Sequence, residues 1–141
     1  MYVAEFHPNY QTVDDVMMVA RTFDAASSIS YIVNTMFTEN VEFFILTKDD
    51  LLAGVVTKKD LIKNLVIDKV GTQGQVSDIM TKMPNVLYVK SDDNIAIATG
   101  KLIQNDVGFL PVVEELPEGL KVVGVFCESI VTRLYLEMFY S

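Results

Sequence analysis

From Ala26 to Asn40 the apolar side chains Ile29, Ile32, Val33, Met36 and Phe37 fall at helical spacing, which predicts an amphipathic helix. Phe43 to Thr47 and Leu52 to Val56 are instead two apolar runs divided by the polar Lys48-Asp49-Asp50, the pattern of a β-hairpin. The helical period returns from Thr57 to Ile67 with Leu61, Ile62 and Leu65, and Val19 to Phe23 reads as a short extended piece ahead of the first helix. The order strand, helix, strand, strand, helix then recurs. A strand is predicted at Val86 to Val89, a helix near Asp92 to Asn105 with Ser91 as its N-cap, strands at Leu110 to Val113 and Val122 to Phe126, and a helix from about Glu128 to Met138.

Residues recur as well as pattern. Asp15-Val16-Met17 returns as Asp78-Ile79-Met80, Ile29 as Ile95, Val41 to Leu46 as Val107 to Val112, and Leu52 to Val56 as Val122 to Phe126, at offsets of 63, 66, 66 and 70. The steps in offset correspond to three extra residues before the helix of the second copy and four in its hairpin, an insertion visible around Glu114 to Gly119, where the first copy has only Lys48-Asp49-Asp50. The organisation expected is a leader at 1–12, a first repeat at 13–67, a linker at 68–75 and a second repeat at 76–138. The fold class is α/β (α+β). Each β-α-β-β-α copy lays two helices on one face of a three-stranded sheet and leaves the other face apolar, so the copies are expected to pack sheet against sheet with pseudo-twofold symmetry. Neither half is expected to be stable alone.

Composition narrows the function. Of 141 residues half are hydrophobic, enough for a core and against intrinsic disorder. The longest apolar runs, Leu51 to Val56 and Val122 to Cys127, are far below the roughly 20 residues a bilayer span needs. Met1 to Pro8 carries no basic region or apolar signal core, so a cytoplasmic location is expected. One cysteine and one histidine exclude an internal disulfide and a Cys/His zinc set. With 11 Lys and Arg against 19 Asp and Glu, the net charge of -8 repels a phosphate backbone, and no direct nucleic-acid contact by this chain is expected. A mean hydropathy of +0.31 without membrane segments points to self-association, most simply a homodimer.

Asp78-Ile79-Met80-Thr81, Leu110-Pro111-Val112-Val113 and the strand-to-helix turn Gly54-Val55-Val56-Thr57-Lys58-Lys59-Asp60 together resemble the cystathionine-β-synthase-type (CBS) domain pair, or Bateman module, over about Val13 to Glu137. More narrowly, Ile79 to Asn85 and Thr132-Arg133-Leu134 resemble the sensor region of Gram-positive catabolite repressors of gluconeogenic genes. In those repressors a helix-turn-helix precedes the pair. The 12 residues before Val13 hold none, so the chain reads as an excised sensor or a stand-alone relative, reaching DNA only through a part absent here.

The resemblance implies an adenine-containing regulatory ligand between the repeats, with AMP, ADP or ATP ahead of S-adenosylmethionine or NAD. It further implies that Thr57 and Asp60 hold phosphate and ribose, with Lys58 and Lys59 adding charge. Met83, Pro84, Asn85, Leu87, Val107, Gly108 and Phe109 would supply the adenine slot. Elementary chemistry agrees: a carboxylate offers two acceptors to neighbouring ribose hydroxyls, and a hydroxyl can donate to a phosphate oxygen. The same Thr-x-x-Asp spacing also suits a capping box, in which both side chains serve backbone donors. The second copy has Cys127 and Ile130 at these positions, so one competent site and one degenerate cleft are expected. Gly108-Phe109 and Glu42-Phe43 stand where the family often carries a basic residue, which disfavours tight triphosphate binding.

Other candidates are weaker. His7 reads as solvated and Cys127 as a small hydrophobe near a strand end, with no base to activate it. Asp14-Asp15, Asp49-Asp50, Asp92-Asp93 and Glu114-Glu115 are expected at turns and helix starts. Met17, Met18, Met80 and Met83 are expected in core or dimer packing. The leading expectation is a non-enzymatic adenine-nucleotide sensor, part of a transcriptional repressor. Its rivals are a dimerisation or interaction module with empty clefts and the regulatory domain of an enzyme or transporter.

Overall fold

The computed structural model describes residues 10–68 and 71–140, so His7 and most of the leader lie outside the described residues. The chain forms two compact units. One is Arg21–Val86, and the other joins the described residues up to Ala20 to those from Leu87 onward.

In the Arg21–Val86 unit, β1 (Thr22–Asp24), α1 (Ile29–Glu39), β2 (Phe43–Lys48), β3 (Leu51–Thr57), α2 (Lys58–Ile62) and β4 (Thr81–Lys82) follow in order. β1 runs parallel to β2, while β2–β3 and β3–β4 are antiparallel. Asp49 and Asp50 both take positive φ, 53° and 64°, the conformation a tight two-residue hairpin turn requires. Ser28 caps α1 by accepting from the Tyr31 amide at 3.0 Å. Phe23, Ile32, Met36, Phe44, Leu46, Val56, Leu61 and Val76 form the core.

The extended piece expected at Val19 to Phe23 begins only at Thr22, and Val19 itself is exposed. The helix expected to run to Ile67 does reach it, but after Ile62 the backbone widens into a π-helical turn, Lys63–Ile67. There the Asn64 side-chain amide donates to the Asp60 carbonyl at 2.8 Å, competing with the backbone ladder.

In the other unit, a 3-10 turn (Val13–Asp15) precedes β5 (Val89–Lys90), α3 (Ile95–Gln104), β6 (Phe109–Leu116), β7 (Gly119–Cys127) and α4 (Glu128–Tyr140). β5 is parallel to β6, and β6 antiparallel to β7. The cap of α3 is Asn94, whose Oδ1 accepts from the Ala96 amide at 2.7 Å, and not Ser91, whose carbonyl accepts from Asp14. The four extra hairpin residues lengthen the ladder, pairing Glu114 with Lys121 and Leu116 with Gly119. Glu114 and Glu115 therefore lie in a strand and not at a turn. Both hairpins shift register at the same place, between Leu46 and Thr47 and between Val112 and Val113.

The compact units do not follow the linear repeats. Val13 and Val16, from the opening of the first copy, are buried among Val89, Ile95, Leu102, Leu110, Val112, Phe126, Ile130 and Leu134 of the second. Met18 makes reciprocal backbone hydrogen bonds with Val125 at 3.0 and 2.9 Å. Conversely Val76, Ile79 and Met80, from the opening of the second copy, pack on the core of the first, and β4 pairs with β3. Two glycines receive these segments. A Cβ on Gly54 would meet the Met80 sulfur at 2.5 Å and the Thr81 carbonyl oxygen at 2.6 Å, and one on Gly124 would meet the Met17 sulfur at 2.5 Å.

Candidate functional site

Thr57 ends β3 and caps α2, because the hairpin strand turns into the helix there. Its Oγ1 accepts from the Asp60 amide at 3.2 Å, and Asp60 Oδ2 accepts from the Thr57 amide at 2.9 Å, so both halves of the capping box are formed. Asp60 is half-buried, and among the described residues no donor reaches its Oδ1. The Lys58 amide donates to the Glu42 carbonyl at 2.9 Å. Thr57, the exposed Lys58 and Lys59, Glu42 and Ile62 surround an open hollow of about 400 Å³. The surface of the hollow is mostly apolar, Glu42 sets a carboxylate beside the two lysines at its rim, and Asp60 is not part of its lining.

Met83, Pro84 and Asn85 belong to the same unit but lie at the other end of β3. The Met83 amide donates to the Ala53 carbonyl at 3.1 Å, and the Asn85 amide to the Lys82 carbonyl at 2.8 Å. Thr57 is four residues further along that strand, roughly 13 Å at the usual strand rise. The Met83–Pro84 peptide is cis, and Pro84 and Asn85 are exposed.

Leu87, Val107, Gly108 and Phe109 belong to the other unit. Leu87 is partly exposed two residues before β5, Val107 is half-buried, and Phe109 is buried opposite Cys127. The Gly108 carbonyl accepts from the Glu128 amide at 3.1 Å, the counterpart of the bond between Glu42 and Lys58. This equivalence was open to the repeat alignment, which sets Glu42 against Gly108. Ile62, by contrast, carried no polar signal that would mark it as a wall of the hollow.

The second copy builds a different helix start. Cys127 Sγ lies 3.1 Å from Ser129 Oγ, an acidic Glu128 stands where Lys58 does, and Ile130 is buried in the core. No group of three or more His, Cys, Asp or Glu is placed to hold a metal among the described residues. No helix among them is long and apolar enough to cross a membrane.

The comparisons with known proteins bear on the fold. A model of the CBS domain family matches residues 76–137. The transcriptional repressor CcpN of Bacillus subtilis (strain 168) is 30% identical over 105 residues, 74% of this chain and 50% of that protein. The homoserine O-acetyltransferase of Methanobrevibacter ruminantium is 35% identical over 105 residues, 73% of this chain and 20% of the enzyme. The chain thus spans half the length of the first relative and a fifth of the second. The crystal structure of CBSX2 in complex with AMP is similar with a TM-score of 0.76 and 26% identity, over 92% of this chain and 98% of that one. With the β-α-β-β-α order present in each copy, residues 76–137 are a CBS domain and the chain is a CBS domain pair.

Proposed function

We propose that the chain is the sensor part of a transcriptional repressor, working as a cytoplasmic homodimer that binds an AMP-, ADP- or ATP-class nucleotide. The observation that carries this reading is the helix start at Thr57 to Asp60. Asp60 gives one carboxylate oxygen to its cap and keeps Oδ1 for sugar hydroxyls, while Lys58 and Lys59 stand exposed for phosphate. Similarity to a repressor and to an AMP-bound CBS protein supports the reading. The module does no chemistry of its own, and contact with DNA falls to a part of the repressor outside this chain. The nucleotide must bind one arrangement of the module better than another, since equal affinity for both transmits nothing.

A second reading is favoured by the completed capping box, which already accounts for Thr57 and for half of Asp60: a dimerisation module without a ligand. The matched stretch within an acetyltransferase adds a third setting, regulation of an attached enzyme.

A thermal-melt series with AMP, ADP, ATP, S-adenosylmethionine and NAD tests the site. A nucleotide at about 100 times its dissociation constant adds roughly 2.7 kcal/mol and raises the midpoint by several degrees. Asp60→Ala should weaken binding by roughly 1.5 to 3 kcal/mol. Asp60→Asn keeps an oxygen for the Thr57 amide, so it should lose nucleotide affinity with the unliganded midpoint nearly unchanged. Full affinity in both variants would refute the ribose assignment, and no shift with any compound would leave the dimerisation module.

A further inference from the structure

We propose that Asn64 is a positioning residue for nucleotide binding: it fixes the backbone of Asp60, so that the carboxylate oxygen left over by the cap is presented in one place. The inference rests on the ribose reading of Asp60 above and adds a residue that acts through it.

Asp60 is held at three points. Its amide donates to Thr57 Oγ1 at 3.2 Å, its Oδ2 accepts from the Thr57 amide at 2.9 Å, and its carbonyl accepts from Asn64 Nδ2 at 2.8 Å. Among the described residues only Oδ1 is left without a donor. The backbone ladder alone would hold the carbonyl less firmly, because the Lys63 amide is shared between the Lys59 and Asp60 carbonyls and the helix widens directly after Ile62. With the amide, the carbonyl and one carboxylate oxygen fixed, a sugar hydroxyl meeting Oδ1 has less of the protein to order, which is how preorganisation raises affinity.

The second copy shows the other use of this position. At the offset of 70, Asn64 stands where Leu134 is, and Leu134 is 2% exposed and packs with Ile130 in the core. Asn64 is half-buried, so the first copy puts an amide where the second buries an aliphatic group. It does so one helical turn after the other position at which the copies part, Asp60 against Ile130. The paired exchange ties the amide to the carboxylate. Nor does the bond serve to stop a helix. Asn105 makes the same bond to the Lys101 carbonyl at 2.9 Å where α3 ends, whereas after Asn64 the chain continues as a π-helical turn to Ile67. Such turns within helices are frequent at functional sites.

Two variants separate positioning from packing. Asn64→Leu installs the residue of the second copy and removes the donor. Asn64→Ser keeps one, since a hydroxyl reaches the carbonyl four residues back, as Thr35 does to Tyr31 at 2.9 Å and Thr132 to Glu128 at 3.1 Å. AMP, ADP and ATP are titrated calorimetrically into the parent chain and both variants, and the melting midpoint of each is read without nucleotide. Asn64→Leu should weaken the nucleotide that the parent binds by about tenfold with the midpoint unchanged or raised, and Asn64→Ser should stay within about threefold of the parent. Parental affinity in Asn64→Leu, an equal loss in Asn64→Ser, or affinity and midpoint falling together would overturn the positioning role and leave the nucleotide site standing. A parent chain that binds none of the three would overturn the ribose reading and this inference with it.

Discussion

Thr57 to Asp60 and Cys127 to Ile130 begin the same helix in two copies of one repeat, yet the first presents polar groups to solvent and the second buries an aliphatic side chain. Where Asp60 is half-buried with a carboxylate oxygen to spare, Ile130 is 1% exposed and packs among Val13, Leu110, Phe126 and Leu134. The helices differ accordingly. α2 gives way after five residues to a π-helical turn, while α4 runs thirteen residues without a break. A duplicated fold keeps its hairpin pairing and its bulge in both copies, and differentiates at the helix start, where one copy carries a half-exposed polar residue and the other a buried aliphatic one.

The most severe way to break this comparison is to transplant the acid. Ile130→Asp would place a carboxylate in the core without a partner, and both the lost apolar packing and the desolvation of the group act against folding. A loss of about 3 to 5 kcal/mol is expected, read as the midpoint of urea unfolding with an unchanged slope. A loss below 1 kcal/mol would mean that position 130 can reach water and that the second helix start is not committed to the core.

The glycines sharpen the comparison at a smaller scale. Gly54→Ala sets its Cβ against the backbone oxygen of Thr81 as well as the flexible end of Met80, while Gly124→Ala meets chiefly the Met17 side chain, with the Met18 oxygen at 3.0 Å. Gly54→Ala should therefore cost about 1 to 3 kcal/mol, and Gly124→Ala less, because a methionine can yield where a strand cannot. Equal losses would show that both opening segments sit with the same freedom.

Much of this architecture was legible in the sequence, since hydrophobic period and turn residues act locally. The offsets of the repeat located both hairpins and all four helices, and the polar Asp49-Asp50 fixed the first turn. The exchange of opening segments was not legible. Asp15-Val16-Met17 and Asp78-Ile79-Met80 specify a short turn and an apolar side chain, but nothing in three residues says which sheet receives them. The cap of α3 was misplaced by three residues because Ser91 and Asn94 are both good caps, and only the tertiary bond from Asp14 to the Ser91 carbonyl distinguishes them. At Thr57 and Asp60 the spacing was compatible with capping and with ligand binding alike. The structure forms the cap and leaves one oxygen over, so the two uses are not exclusive.

The smallest expected difference between the copies is electrostatic. Arg21 meets Glu39 with a 2.6 Å contact from Nη1 to Oε1, and its guanidinium stands 4.7 Å from the centre of the Phe23 ring. The corresponding residues of the second copy are Leu87 and Asn105, which cannot form the pair. The hydrogen bond from Arg21 holds the Glu39 carboxyl below the usual glutamate range. A depressed folded-state value means the unfolded chain takes up the proton first, so the contribution is fully present above the unfolded value of about 4.3 and is lost as pH falls through the folded one. Both partners are about half exposed, so solvent screens the pair and the effect is small. Glu39→Gln should lower the melting midpoint slightly at neutral pH and low salt, with the gap to the parent closing below about pH 4. A gap that stays constant across that range would assign the loss to packing of the side chain, and the second copy would then lack no pH-dependent contribution that the first possesses.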